Sequence, residues 1–382
     1  RYTEIGGREV LAVGGVKIPA FSSSEIELCD EPLKAESPFE YDGETLETPF
    51  AKITFDENGY IASLIDKESG RELRKKNGAP LGVFLFGEDV PESFDNWDFE
   101  WDVFTNLKPQ YGFIKREVAS DGAVEIRLRS EFSIGGNGIV QDLVCYADSP
   151  RIDYHTFIDW KTPHRFLKAG FDLDVSAKRA KSEIQFGAIE RPVTANNSLE
   201  LAKFEVCNRN YTDISEPRFG AAILNDCKYG ISIKDCNLCL SLHKGGTHPD
   251  GSGDKGLHEL TYSLLIHNSP YCAEAVVHPA YELNVPVFAV KGRANAPQLA
   301  RISAPSVIAE AVKPAEDGNG FVMRLYECEG SKVKTDIAFS GNISGAELTN
   351  LLEDKGEAVS VDNNSVTLDF EPFEIKTLRV YR

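Results

Sequence analysis

An all-β protein is predicted, with a large antiparallel β-supersandwich followed by a smaller C-terminal β-sandwich. Three observations carry this reading. Apolar and polar residues alternate with period two over many short runs, clusters of Asn, Asp and Gly separate the runs, and no long amphipathic helical pattern occurs. Strands at this frequency, without helices between them, favour sheet packed on sheet over a parallel α/β arrangement.

The first element is REVLAVGGVKIPAFSSSEIEL, whose Val10, Leu11, Val13, Val16 and Ile18 are too apolar for a solvated tail. Residues 1–48 read as a partial small β segment and a linker, the Pro-, Glu- and Ser-rich stretch Glu31–Thr48. The chain opens on Arg1 and not on Met, and partner strands are expected to precede it. An edge without its partner exposes backbone groups and apolar side chains, so the segment is expected to pack on the large domain or on another molecule.

Residues 49–290 read as the supersandwich. In KITFDENGYIASLID, the residues Asp56, Glu57, Asn58 and Gly59 stand between two β-rich runs, and Asn-Gly supplies the positive φ of a tight hairpin. Val124, Ile126 and Leu128 alternate with Glu125, Arg127 and Arg129, as a strand with one buried face requires. Ile152, Tyr154, Ile158 and Trp160 repeat the pattern, and LGVFLF, GIVQDLVCYA and HELTYSLLIH are further β-rich runs. A second boundary at Lys291–Gln298 leaves residues 300–382 as the smaller sandwich, in which the turn Asp362–Asn364 precedes the strand SVTLDF.

Composition excludes several classes of function. A net charge of -19 opposes a nucleic-acid partner, because that affinity rests on Lys and Arg displacing counterions. No run approaches the roughly 18 apolar residues of a membrane helix, and the opening residues are no signal peptide. The 8 cysteines are too sparse for a disulfide scaffold, and reduced thiols in a cytoplasm are expected. Cys236-x-x-Cys239 lacks the second pair of a zinc ribbon, and residues three apart on a strand point to opposite faces.

Several separated segments together resemble the C-terminal β region of glycoside hydrolase family thirty-eight, the α-mannosidases. ITFDENGYIASLIDKESGREL looks like that family's hairpin, and EDVPESFDNWDFEWDVF is similar to its D-x-P-x-x-W-D-A-W-D loop, with Phe94 and Asn96 at two departing places. QFGAIERP, KFEV, GAAILNDCKYG, GDKGLHELTYSL, RLYECEG and PFEIKTLRV follow in the expected order. The resemblance implies a supersandwich of the galactose-mutarotase type and a role in a retaining α-mannosidase. It also implies that a divalent metal, expected to be zinc, and two carboxylates about 5 Å apart belong to an N-terminal catalytic domain, followed by a helical domain, neither of which has a counterpart in this sequence. The expected partners are an α-mannoside or other glycan and those domains of the same polypeptide, with a homo-oligomer also open. No cofactor is expected in this chain, and the chain alone is expected to be inactive.

Candidate substrate-cleft residues are Asp95, Trp97, Asp98, Arg191, Asp254 and His258. An aromatic face flanked by carboxylates suits a sugar ring, although a Trp between two acids can equally plug a sandwich. Arg191 could donate to hydroxyls or pin a loop, while His258 and Asp254 share a Gly- and Asp-rich loop. His248-Pro249-Asp250 echoes the family's His-x-Asp metal motif, but HKGGTHPDGSGDKG reads as a turn in which Asp side chains bond the backbone. Glu205 reads as an ordinary strand acid. A free-standing carbohydrate-binding or mutarotase-like domain is the alternative to an auxiliary mannosidase region, since architecture does not settle function.

Overall fold

The computed structural model describes residues 2–28, 35–98, 100–293, 297–354 and 356–382. Residues 29–34 of the first linker, 294–296 of the second, and Phe99 in the DNWD loop therefore lie outside the described residues.

Two antiparallel sheets face each other across the main core. The nine-stranded sheet runs, edge to edge, through Gly187–Pro192, Arg179–Ile184, Tyr211–Glu216, Phe219–Asn225, Gly256–His267, Ile152–Trp160, Asn137–Tyr146, Glu125–Ile134 and Phe113–Asp121. The six-stranded sheet contains Asn237–Lys244, Arg165–Asp172 and Val83–Glu88 at its centre. Alternation decides what meets between them: Leu167, Ala169 and Phe171 of one sheet pack with Tyr154, Ile158 and Tyr262 of the other. Tyr154 and Phe171 meet edge to face at 5.9 Å, and Phe86 meets Trp160 at 6.0 Å.

A four-stranded sheet closes one end, formed by Glu40–Tyr41, Thr45–Glu47, Ala51–Phe55 and Ile61–Asp66. Its hairpin turns where the sequence places it. Asp56 Oδ1 accepts the backbone N–H groups of Asn58 and Tyr60 at 3.0 and 2.9 Å, and Gly59 takes φ +78°. Phe39 and Leu46 are buried in the same core, so packing reaches back before residue 48, the end of the linker read from composition. Leu46 provides the reason, since it pairs with Ile53 and brings its strand onto the sheet.

A second core lies between a four-stranded and a five-stranded sheet of residues 300–381 and is built on Met323, Leu325, Ile337, Val366 and Leu378. Asn363 and Asn364 both take positive φ in the turn before Ser365–Phe370. The helical residues Ala273–Val277 and His278–Asn284 lie between the two cores, burying Val276, Val277 and Ala280 against Tyr211, Leu265 and Tyr326. There the hydroxyls of Tyr281 and Tyr326 meet at 2.9 Å.

At the N-terminus, Tyr2–Thr3 pairs with Glu9–Val10. This short hairpin lies on the outer face of the nine-stranded sheet, with the Arg127 guanidinium 4.1 Å from the Tyr2 ring centre and Arg129 donating to the Thr3 carbonyl at 2.9 Å. Further on, Leu299 donates its N–H to the carbonyl of Phe21. Leu11 and Val13 remain half exposed.

Candidate functional site

Two loops meet at one end of the six-stranded sheet, one leaving strand Val83–Glu88 and the other leaving strand Asn237–Lys244. Asp95 joins them. Its Oδ1 accepts the backbone N–H groups of Thr247 at 2.9 Å and His248 at 2.6 Å, while Oδ2 lies 3.0 Å from His164 Nδ1. Burial works against this carboxylate, but the N–H groups of Thr247 and His248, with His164 beside them, outweigh it and hold its carboxyl below the usual range. Asn96 adds two links, donating its N–H to the His248 carbonyl and accepting that of Asp250 on Oδ1.

With Asp95 turned inward, the next turn presents its aromatic residues to solvent. Trp97 is 72% exposed and stacks on Phe94 at 5.5 Å, whose ring lies 5.2 Å from His248. Trp97 therefore plugs no core. Asp98 is exposed, and Lys244 donates to its backbone carbonyl.

Behind this rim lies a groove of about 490 Å³, whose lining includes Phe166, Glu205, Lys228, Ser241, Asp254 and His258. His243, paired with core-facing Leu167, meets it from between the sheets. Lys168 is fully buried beneath Glu205, with Nζ 2.5 Å from Oε2, while Ser241 donates to Oε1. Lys244 sits 2.8 Å from buried Asp89, whose carboxyl is pushed up by desolvation against the pull of that ammonium group. His258 Nε2 lies 2.6 Å from the Asp254 carbonyl, and its ring is 4.1 Å from that of His243.

Families described as "Glycosyl hydrolases family 38 C-terminal domain" and "Glycosyl hydrolases family 38 C-terminal beta sandwich domain" match residues 46–252 and 306–378. The chain belongs to glycosyl hydrolase family 38. Among curated relatives, this family 38 chain is 33% identical to Alpha-mannosidase 2C1 of Homo sapiens over 98% of its own length and 37% of that protein's. It is 33% identical to Alpha-mannosidase G of Dictyostelium discoideum over 87% of its length and 32% of that protein's. It thus spans about a third of the relatives it matches. A crystal structure of an alpha-mannosidase from Enterococcus faecalis V583 shares the fold, with TM-score 0.74 and 14% identity over 91% of this chain and 43% of that one.

Of the family 38 chain's sequence candidates, Asp95, Trp97 and Asp98 lie on one loop, and Asp254 and His258 line the groove that Asn96 of that loop also lines. Arg191 is not among them. It sits on the edge strand Gly187–Pro192, with Nη1 buried and without a hydrogen-bond partner among the described residues. His248 and Asp250 serve the loop itself: Asp250 Oδ1 accepts the N–H of Ser252 at 2.9 Å. Among the described residues, no group of three or more His, Cys, Asp or Glu is placed to hold a metal ion. Lys168, His164, His243 and Glu205 hold together the rim and the groove beside it but escape motif reading, since each depends on a partner at least 36 residues away, or on a ring stacked from another strand.

Proposed function

We propose that this chain is the C-terminal β part of a retaining α-mannosidase, in which it buttresses the catalytic domain and lends its rim to the sugar cleft. The observation that carries the reading is the Asp95 clamp, which locks the 93–98 and 244–256 loops into one rim and leaves Trp97 facing outward. An exposed indole beside the Asp98 carboxylate suits a sugar, whose C–H face stacks on the ring while its hydroxyls donate to the acid. In this reading the metal and the paired carboxylates belong to another region of the polypeptide, and this chain alone does not turn over substrate. Every described cysteine is free, which supports a reducing, cytoplasmic setting.

The experiment is steady-state kinetics of the full-length enzyme on an aryl α-mannoside, with Trp97→Ala and Asp98→Asn. A fall in kcat/KM of about tenfold, carried mainly by KM, is expected for a lost stacking contact. Unchanged kcat/KM in both variants would remove the rim from the cleft.

A further inference from the structure

Lys168 is sealed from solvent, and alternation along its strand turns it away from core-facing Leu167 and Ala169. The helix Val103–Asn106, which ends the rim loop, lies against it. Val103 and Leu107 are buried there with Phe166, and the Lys168 ammonium lies 5.0 Å from the centre of the Phe104 ring and 5.3 Å from that of Phe166. Phe104 also meets Phe204 edge to face at 5.6 Å, next in sequence to Glu205, whose carboxylate holds the same ammonium at 2.5 Å. A cation at such distances is attracted to the face of a ring, more strongly where water is excluded. One lysine thus ties Glu205 to the foot of the rim.

The helix does not hold itself. Four residues are too few for a stable helix in water, and among the described residues the Asp102 side chain makes no cap hydrogen bond. Its backbone bonds, from Val103 to Glu100, from Thr105 to Asp102 and from Leu107 to Val103, therefore depend on the packing beneath. Upstream, the Asp98 carbonyl accepts Lys244, and the Glu92 N–H donates to the Glu100 carboxylate at 3.1 Å, joining the two arms of the loop. The arm between Asp98 and Phe104 carries Trp101, 67% exposed. Lys244 anchors one end of it, and Phe104 on Lys168 anchors the other.

We propose that Lys168 is a positioning residue of the rim, its ammonium fixing Phe104 and, through that ring, the arm that carries Trp101. Lys168 is closed to any ligand, so it acts only through what it holds. The inference rests on the rim reading and goes beyond it, because it separates two roles of one cation, neutralising Glu205 and holding Phe104.

Hydrogen exchange on this chain and kinetics of the full-length enzyme test it together. Lys168→Met with Glu205→Leu leaves no buried charge unpaired, while Phe104 loses its cation. Exchange at the Val103, Thr105 and Leu107 amides is expected to quicken about tenfold, the size of a desolvated cation–π contact. The Thr247 and His248 amides, held by Asp95, should keep the parent rate. Phe104→Leu leaves the Lys168–Glu205 pair intact, should quicken the same amides, and serves as the second variant should the double one not fold. On an aryl α-mannoside both should raise KM severalfold at unchanged kcat, and combined they should do no worse than either alone, since they act through one contact. The proposal is overturned if those amides keep the parent rate, or if exchange quickens equally throughout the chain. It is also overturned if both variants keep the parent KM while Trp97→Ala raises it. Failure of the rim reading is read separately, as unchanged kcat/KM in Trp97→Ala and Asp98→Asn.

Discussion

The Asp95 carboxylate reaches across to a loop about 150 residues away in sequence and accepts the backbone N–H of His248 at 2.6 Å. Replacing Asp95 with Ala leaves the Thr247 and His248 N–H groups without this acceptor. A loss of about 2–3 kcal/mol is expected from charge-assisted hydrogen bonds of this kind. Chemical denaturation should report the loss, and hydrogen exchange should quicken in residues 246–250 before it does elsewhere. The pH sign follows from a carboxyl held below its usual value. The stabilisation is present above the unfolded pKa of about 3.9 and is lost as pH falls through the lower folded value.

Lys168→Met should destabilise the chain by about 3–5 kcal/mol, because it leaves the Glu205 carboxylate, 8% exposed, without its ammonium partner. The double variant Lys168→Met with Glu205→Leu should recover most of that loss in urea unfolding. Equal instability of single and double variants would mean that packing, and not charge, holds this place.

Glu183 gives a second pH dependence of opposite sense. Desolvation raises its carboxyl from 4.5 to about 7, against the opposing hydrogen bond from the Asn210 N–H. Because the folded state binds a proton that the unfolded state has released, stability from this group is complete below about 4.5 and declines as pH rises to about 7. Glu183→Gln should flatten that slope and raise stability at pH 8 by a few kcal/mol at most, roughly the worth of the shift. Thermal melts across this window provide the check.

Tyr326→Ala should loosen the smaller sandwich from the larger. The Tyr326 ring is 2% exposed among Tyr211, Val276 and Ala280, and its hydroxyl meets that of Tyr281. A loss of about 3–5 kcal/mol is expected for truncating a buried aromatic residue. Calorimetry should then resolve two transitions, and a single transition with only a lowered Tm would mean that the two cores remain coupled by other contacts.

Much of the fold was legible because it rests on local alternation. Ile152, Tyr154, Ile158 and Trp160 are all buried in the core, and the Asp56–Gly59 turn falls where its side-chain chemistry requires. Alternation also misled at one strand. Glu125 and Arg127 read as a solvated face, yet they are 6% and 5% exposed, because Tyr2 and its hairpin lie over them. Nothing in EIRLR announces a cover that arrives from more than 100 residues upstream. The groove shows the same limit. Glu205 was readable only as a strand acid, because the lysine beneath it is 37 residues earlier in the chain and becomes its partner only once the sheet has formed.

The face under that hairpin has an evolutionary consequence. Arg127 and Arg129 meet Asp142, at 3.3 and 2.7 Å, and Arg127 also meets Glu125 at 3.2 Å. Two cations and two anions thus occupy a space from which water is largely excluded, and losing any one of them leaves an odd charge enclosed. Drift at these positions is therefore constrained to compensated steps: a neutral residue at Arg127 becomes tolerable once Glu125 or Asp142 has also lost its charge. In homologous sequences, these four positions and Tyr2 should vary as a group, even though only Glu125, Arg127 and Arg129 are close in sequence.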